Sequence, residues 1–457
     1  MKFEGGSMNI LDFFPYDAPR PSQLKVLEWV QKHYDDYDVF VLQCPVAAGK
    51  SGLAVTIAKW ANSVYESTCS ITTPDNVLVQ QYKNDFKLLT LPYANSFAGR
   101  DLFARAKADF KAAPLKLMNN FTLLANKVYS DVQIMDEAHQ LIPMLQDFEG
   151  VTIWHHLECY PKTIKTVADV LLWAASLGPK DKLGKRLEKL LSKNPKDYVI
   201  VQDRDLYRGR IRDYLRIYPL TPKNNSPILW PPSRVKKLFL MSATISKFDV
   251  EDLGLHNRRV GYIEVPSDIP KENRPFRVMD IGSMGRGAQR ETLPAMLGEI
   301  RRLHNANKGR GMLHTTYGLA ASISASGEYP SLIFHRVDNK RELLNDWLYD
   351  NDDKRSFIGC GLTTGIDLKY DRCRWQAILK CQFPNLGDPA VAAKAERSPE
   401  WYQWTTIKQV VQAYGRVCRA PDDKGITYML DSDFSRLLEH SRHLMPLWFL
   451  ESIEEKT

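Results

Sequence analysis

The sequence lacks the features that mark secreted, membrane-spanning and repetitive proteins. It has seven cysteines in 457 residues and no CxxC pair, which argues against a disulfide framework and favours a reducing compartment. No apolar run approaches the roughly 20 residues that cross a bilayer. The N-terminus has no basic stretch followed by an apolar core, so it does not resemble a signal peptide. We therefore expect a cytoplasmic protein without membrane contact.

The charge balance also lacks a dominant sign. Lys and Arg number 62 and Asp and Glu 54, which gives a net charge of +8. This mild basic excess is compatible with a polyanionic partner but does not identify one.

Short β-branched and aromatic runs alternate with helical patterns along most of the chain. Strands are predicted at 39–42, 132–135, 238–241, 357–358, 377–379 and 426–430. This alternation is typical of an α/β fold, in which helices cover both faces of a parallel sheet. A second α/β unit starts near residue 265. Between 143 and 200 the pattern is helical instead, and one of its helices has a basic side made by Lys182, Lys185, Arg186 and Lys189. That side is either a solvated surface or a DNA contact.

The segment after the first predicted strand has the features of a phosphate-binding loop. It reads Cys44-Pro45-Val46-Ala47-Ala48-Gly49-Lys50-Ser51 and ends in the GKS of a P-loop at a strand-to-helix junction. Backbone N–H groups and the start of the helix favour a phosphate there. Lys50 would reach the β- and γ-phosphates, and Ser51 would hold Mg²⁺.

Two adjacent acids follow the second predicted strand, in Asp136-Glu137-Ala138-His139. Adjacent carboxylates at the end of a buried strand are costly unless a cation or a reacting water uses them. Asp136 would act on Mg²⁺ directly or through water, and Glu137 would orient or deprotonate the attacking water. An acidic helix cap is the alternative, but the GKS upstream favours the catalytic interpretation.

Together these motifs resemble the XPD/DinG branch of the superfamily 2 helicases, in the right order over nearly the whole chain. Further matches are the adenine-side motif at 14–23, the DNA-gripping motif at 72–82, and motif III at Ser242-Ala243-Thr244. Residues 311–316, 364–367 and 412–419 are similar to motifs IV, V and VI. The resemblance implies two tandem RecA-like domains, at 1–262 and 263–457, with 143–200 as an arch-like helical insertion in the first.

The resemblance also implies a role for individual residues. ATP would be bound by Tyr16, Arg20, Gln23, Pro45, Ala47, Gly49, Lys50, Ser51, Gly365 and Asp367, with Mg²⁺ on Ser51 and Asp136. DNA would be contacted by Thr72, Thr73, Gln81, Asn120, Thr316 and Thr363, and Ser242, Ala243 and Thr244 would couple the two sites. Catalysis would fall to Lys50, Asp136, Glu137, His139, Gln412, Arg416 and Arg419.

Motif VI supplies positive charge for the transfer of the γ-phosphate. A guanidinium from the other domain can be worth roughly 10³ to 10⁵ in rate. Arg416 and Arg419 are three residues apart on a predicted helix, so both can face one cleft. Gln412 would position water or a phosphate, and Gly415 suits close packing against the nucleotide domain.

The sequence departs from the family at its iron–sulfur cluster. Cys69 is the only cysteine between Lys50 and Asp136, so four thiolate ligands are not available there. We therefore expect no iron–sulfur cluster, and a cluster domain reduced to a loop at 95–118. Motif V has Thr364 where the family often has Glu.

We accordingly predict an ATP-dependent helicase that moves along single-stranded or forked DNA, 5′ to 3′ by family likeness. The alternatives are a translocase that does not separate strands and a non-hydrolysing ATP- and DNA-binding clamp in a larger nucleoprotein complex. The short length and the missing cluster favour a bacterial, plasmid or phage origin.

Overall fold

The computed structural model describes residues 8–91, 100–157, 160–161, 163–191, 197–207, 210–222, 229–308, 310–327, 331–350, 352–362, 368 and 370–454. The strands are β1 (Val39–Gln43), β2 (Cys69–Thr73), β3 (Leu115–Asn119), β4 (Val132–Asp136), β5 (Val151–Trp154), β6 (Tyr198–Tyr207), β7 (Arg210–Pro219), β8 (Lys237–Ser242), β9 (Val260–Glu264), β10 (Phe276–Gly282), β11 (Met312–Thr315), β12 (Leu332–Ile333), β13 (Ser356–Cys360), β14 (Trp375–Ile378), β15 (Ile426–Asp431) and β16 (Ile453–Glu454).

The helices are α1 (Pro21–His33), α2 (Lys50–Tyr65), α3 (Asn76–Phe86), α4 (Arg100–Ala112), α5 (Asn120–Asn126), α6 (Leu141–Glu149), α7 (Val167–Ser176), α8 (Lys182–Leu191), α9 (Lys247–Asp252), α10 (Gln289–Ala306), α11 (Tyr317–Ala325), α12 (Lys340–Tyr349), α13 (Pro389–Arg397), α14 (Pro399–Tyr414), α15 (Asp433–Ser441) and α16 (Leu447–Leu450). Short 3-10 helices cover Ile10–Phe13, Ala138–Gln140, Lys271–Asn273, Tyr370–Arg372 and Arg442–Leu444. None of the helices in the described part of the chain combines the length and apolar character of a membrane span.

The first parallel sheet has the order β3-β2-β4-β8-β1-β9. Its strands are apolar on both faces because helices cover both sides. In β1, Phe40 and Leu42 pack into one core, while Val39 and Val41 pack into the core on the opposite face. The predicted strands at 39–42, 132–135 and 238–241 are confirmed as β1, β4 and β8.

The second parallel sheet has the order β12-β13-β11-β14-β15-β10-β16. It contains the predicted strands at 357–358, 377–379 and 426–430, and its own cores lie on its two faces. The α/β fold with two RecA-like sheets is thus confirmed. The proposed boundary between residues 262 and 263 falls within β9 of the first sheet, and β10 is the next strand to join the second sheet.

The strand order explains why distant motifs meet. The strands β4, β8 and β1 are neighbours and parallel, so their carboxyl ends lie on the same edge of the sheet. The GKS segment follows β1, the paired acids end and follow β4, and the Ser-Ala-Thr motif begins at the end of β8. Ligands bind at this edge in open α/β sheets.

The insertion between α6 and β8 is a mixed unit rather than a helical one. Helices α7 and α8 confirm part of the predicted 143–200 helical segment, but they pack on an antiparallel sheet of order β5-β7-β6. The sheet was missed by the prediction. On β7, the Tyr218 hydroxyl donates to the Asp388 carboxylate of the second domain, at 3.0 Å from Oδ1. Tyr218 and Leu220 also pack on Ala390 of α13.

The predicted loop at 95–118 is wrong for most of its length. Residues 100–112 form α4, and β3 joins the edge of the first sheet beside β2. Residues 95–99 lie outside the described residues. The reason is that Leu115, Leu117 and Met118 are apolar enough to complete a sheet edge, with Leu117 and Met118 buried.

Candidate active site

A cleft of about 390 Å³ lies between the two parallel sheets. Its walls come from both domains, and they include Lys50, Glu137 and Arg416. The remaining lining residues are Val46, Ala47, Asp75, Val77, Leu78, Gln81, His139, Gln140, Ala243, Arg341, Gln412 and Arg419. The structure therefore brings the GKS lysine, the second acid and the motif VI arginine to one cavity.

The loop before α2 has the backbone shape of an anion cradle. Ala47 has φ 66° and Gly49 has φ 70°, both in the left-handed region, and α2 begins at Lys50. The left-handed conformation favours glycine at position 49, and a Cβ there would lie 2.5 Å from Gln23 Nε2 and displace that side chain. When positive and negative φ angles alternate in this way, successive backbone N–H groups turn toward an anion. The loop fits a phosphate.

Two residues of the adenine-side motif support this loop through its carbonyls. Arg20 Nη1 donates to Ala47 O at 2.5 Å, and Gln23 Nε2 donates to Gly49 O at 3.3 Å. The Tyr16 ring lies against Gly52 of α2 and is about half exposed, at 56%. The structure thus places Tyr16, Arg20 and Gln23 beside the P-loop. Their contact with the base of a nucleotide remains a proposal. Pro45 is buried at the start of the same loop.

The paired acids have different surroundings. Asp136 is buried, and both of its oxygens accept hydrogen bonds, from the Tyr82 hydroxyl at 2.8 Å and from the Glu137 N–H at 2.9 Å. Burial and the charge of Glu137 raise the pKa of Asp136. Because a buried carboxylate without a cation is unfavourable, this environment favours a bound cation.

Glu137 faces the cleft from a left-handed backbone position with φ 50°. Its carboxylate lies 3.7 Å from Lys50 Nζ and 3.3 Å from His139 Nδ1. Burial alone would raise the pKa of Glu137, but Lys50, His139 and Arg416 hold it below its usual value. The Glu137 carboxylate is therefore charged at neutral pH.

The oxygen donors present fit Mg²⁺ in its usual mode of binding. Asp136 and Ser51 share the Tyr82 hydroxyl as a hydrogen-bond partner, so the carboxylate and the P-loop hydroxyl lie close together. Mg²⁺ commonly uses one or two protein oxygens together with substrate phosphates and water. Within the described part of the chain, no group of three or more His, Cys, Asp or Glu side chains is arranged to hold a metal by itself.

A chain of hydrogen bonds links the acids to motif VI across the domain boundary. His139 Nδ1 lies 2.9 Å from Ser242 Oγ, and Ser242 Oγ accepts from the Thr244 N–H at 3.1 Å. Gln412 Nε2 then donates to Thr244 Oγ1 at 2.6 Å. Ala243 lines the cleft between these partners. We call this set from His139 to Gln412 the cross-domain relay.

Arg416 lies at the end of the relay, but not on a helix as predicted. Helix α14 ends at Tyr414, and Cys418 adopts φ 59°, so the chain turns between the two arginines. Arg416 is buried and its Nε donates to Gln412 O at 2.9 Å, whereas Arg419 Nη1 donates to Gly415 O at 3.0 Å. Both still line the cleft, because the turn itself faces it.

Gly415 is the point of closest approach between the domains at this site. A Cβ there would lie 2.4 Å from Val46 Cγ2 of the P-loop, so the absence of a side chain at position 415 makes room for the Val46 side chain. The predicted packing of Gly415 against the nucleotide domain is confirmed.

A buried amide holds the end of α14 from behind. Gln376 Nε2 donates to Ala413 O at 3.0 Å and to Tyr414 O at 2.9 Å, and its Oε1 pairs with His314 Nε2 at 2.9 Å. This network was missed, since isolated polar residues inside predicted strands give no sequence signal for their partners. Arg341 of the cleft wall was missed as well.

The predicted DNA contacts are more scattered. Thr72, Thr73 and Asn120 are buried, and the Thr73 hydroxyl donates internally to Asp75 O at 2.9 Å, so a DNA contact there would run through the main chain. Gln81 lines the nucleotide cleft instead, and Thr316 caps α11. Thr363, Gly365 and Asp367 lie outside the described residues.

Comparisons with known proteins agree with this arrangement. Residues 312–452 match the family described as "Helicase C-terminal domain". The solved structure of Xpd4 from S. tokodaii superposes with a TM-score of 0.61 and 14% identity, covering 96% of this chain and all (100%) of that one. A structure titled "XPD_APO" gives 0.64 and 14%, covering 94% and 100%. No curated protein matches the sequence.

The match to a helicase C-terminal domain lies within the second α/β domain. Over 94% to 96% of the chain the fold is similar to that of these two XPD structures.

Proposed function

We propose that the protein is an ATP-dependent DNA helicase that moves along a single strand and separates duplex ahead of it. The observation that carries this proposal is the convergence of Lys50, Glu137 and Arg416 on one cleft between two parallel-sheet domains, with the buried Asp136 directly beside Glu137. Hydrolysis of ATP needs a loop that binds phosphate, a site for a divalent cation, a base and a positive charge that acts on the transferred phosphoryl group. Each of these four requirements can be assigned to a residue of this site.

In this mechanism the P-loop amides and Lys50 bind the β- and γ-phosphates of ATP. Mg²⁺ on Ser51 and Asp136 would neutralise charge on the phosphate oxygens. Ionised Glu137 orients the attacking water and accepts its proton, with His139 fixing the carboxylate. Arg416 stabilises the charge that develops on the departing phosphoryl group.

The cross-domain relay explains how hydrolysis would move the domains. Gln412 holds Thr244 of the first domain and, through its main chain, Arg416 of the second. Loss of the γ-phosphate removes the charge that draws Arg416 inward, so the relay would loosen and the domains would open. Each cycle would advance the strand by a short step, and duplex stacking costs only about 1.4 kcal/mol per base-pair step.

The strand itself would be gripped without regard to sequence. The net charge of +8 and the main-chain groups after β2 and β3 favour contacts to phosphates. Binding should therefore weaken steeply with salt. The 5′ to 3′ direction and the preference for DNA follow from the family resemblance, whereas the absence of an iron–sulfur cluster follows from the missing cysteines; all three remain part of this proposal.

The direct test is phosphate release in the presence and absence of single-stranded DNA. Wild type should be stimulated by DNA, and Lys50→Ala should lose activity by about 10³-fold, since a P-loop lysine acts on the transferred phosphate. Lys32→Ala, an exposed lysine at the end of α1, is the control and should behave as wild type. Equal release by wild type and Lys50→Ala would favour the non-hydrolysing clamp.

A translocase that does not separate strands is the second candidate. The observation that favours it is that α4 and β3 occupy residues 100–119, where family members carry the cluster domain linked to strand separation. A forked duplex and a single strand blocked by bound protein distinguish the two. Displacement of the blocking protein without unwinding of the fork would support the translocase.

A further inference from the structure

Tyr82 is a buried side chain on an otherwise accessible helix. Among the residues of α3, all of which the structure describes, Tyr82 alone is buried, with 1% of its surface exposed. The sequence motif that contains it predicts DNA gripping and gives Tyr82 no role of its own. Its ring packs in the apolar core of the first domain, and its hydroxyl points to the nucleotide site.

The hydroxyl of Tyr82 joins two residues that we assign to Mg²⁺. It donates to Asp136 Oδ2 at 2.8 Å and also makes a hydrogen bond with Ser51. Because the Tyr82 proton goes to the carboxylate, the phenol oxygen can accept from the Ser51 hydroxyl, which would leave the Ser51 lone pairs available to a cation.

This arrangement differs from that of an ordinary core tyrosine. Phenylalanine would fill the same space without burying a hydroxyl that needs partners. Here the hydroxyl finds both partners at the phosphate site, on two different elements, the start of α2 and the end of β4. A bond to a carboxylate is also stronger than a bond between neutral groups.

From this geometry we infer that Tyr82 is a positioning residue that fixes Ser51 and Asp136 at the spacing that Mg²⁺ requires. The inference rests on the proposed nucleotide site. Tyr82 itself does not touch the cation or the phosphates. It limits the rotation of the Asp136 carboxylate and the Ser51 hydroxyl, so that both are already oriented when Mg²⁺–nucleotide arrives.

The test is the affinity for a fluorescent ADP analogue, measured with Mg²⁺ and with EDTA. Tyr82→Phe keeps the ring and removes only the hydroxyl. The Mg²⁺ concentration needed for half-maximal binding should rise about tenfold, as expected for losing a bond to a charged group. Affinity in EDTA should stay within about twofold, because the P-loop amides and Lys50 are untouched.

Tyr34→Phe is the matched control, since Tyr34 is also a buried tyrosine of the first domain. It should leave both affinities unchanged. Tyr82→His, which keeps a ring and an N–H donor, should fall between wild type and Tyr82→Phe, and it replaces Tyr82→Phe if that variant does not fold.

Two results would overturn the inference. One is an unchanged Mg²⁺ requirement in Tyr82→Phe, and the other is an equal loss of affinity with Mg²⁺ and with EDTA. Either would leave the proposed function standing. Failure of the wild type to bind the analogue under both conditions would instead overturn the proposed nucleotide site.

Discussion

The two sides of the cleft are built in different ways. On the first-domain side, the P-loop and Asp136 are fixed by contacts within their own domain, namely Gln23 with Gly49 and Tyr82 with Asp136. On the second-domain side, Arg416 lies in a turn beyond α14, and its Nε donates to Gln412 O, while the Gln412 side chain donates to Thr244 of the first domain. The nucleotide half is thus preset, whereas the position of the arginine depends on how the domains meet.

If this difference holds, Arg416→Ala should reduce turnover far more than binding. We expect the rate of phosphate release to fall roughly 10³-fold or more, because the positive charge acts in the transition state. Affinity for Mg²⁺–ADP should change by less than about threefold, since the phosphate cradle is intact. Single-turnover hydrolysis and analogue binding provide the measurements, with Arg290→Ala on exposed α10 as control. Equal losses in binding and turnover would remove the distinction between the two sides.

A smaller effect on the rate of hydrolysis is expected from a change at Gly415, where the two domains touch. Gly415→Ala places a methyl 2.4 Å from Val46 Cγ2, so the domains must separate to relieve the clash. Overpacking of this kind costs about 1–3 kcal/mol, or roughly ten- to a hundredfold in the rate of hydrolysis. Combining it with Val46→Ala should recover part of the loss. Lack of any recovery in the double variant would place the defect elsewhere.

The relay offers a finer test of the comparison. Thr244→Val keeps the shape of the side chain but removes the acceptor of the 2.6 Å bond from Gln412. Stimulation of phosphate release by DNA should fall about fivefold, while basal release changes less, because a buried bond worth about 1 kcal/mol is lost between the domains. Thr406→Val on α14, also a buried threonine, is the control. A parallel fall in basal and stimulated rates would argue against a coupling role.

The last prediction concerns stability rather than rate. His314 is buried against Gln376 in the second domain, and burial lowers its pKa to about 4. Below pH about 6.5 this histidine is protonated in the unfolded chain but stays neutral in the folded protein. The free energy of unfolding therefore falls by about 1.4 kcal/mol per pH unit down to about pH 4. His314→Gln can still donate to Gln376 and should lose this part of the acid sensitivity in urea unfolding at pH 7 and pH 5. An identical pH dependence in both proteins would contradict it.

Much of the first-domain side of the cleft could be predicted from the sequence because its functional residues come directly after the predicted strands. Val39–Gln43 and Val132–Asp136 are short apolar runs, and the functional residues come at their ends, where neighbouring parallel strands must bring them together. Local pattern and tertiary structure agree there. The roles of Tyr82 and Gln376 could not be predicted in this way, because each depends on partners more than 30 residues distant, such as Asp136 for Tyr82.

The two elements predicted wrongly have physical causes of their own. In β6 and β7, charged residues such as Arg204, Asp213 and Arg216 interrupt the apolar alternation, so the hairpin lacks the usual strand signal. A period of two remains visible in Leu215 and Ile217, which are both buried. At motif VI, the spacing of Arg416 and Arg419 suits a helix, but Gly415 begins the turn that ends α14.

The hydrogen bond from Tyr218 to Asp388 has a consequence for movement. The insertion is covalently part of the first domain, yet it is held to the second domain by this bond and by the contact of Leu220 with Ala390. Any rotation between the two domains must therefore either break this attachment or bend the β6–β7 hairpin. The insertion would then be strained, or released from the second domain, whenever the angle between the two domains changes.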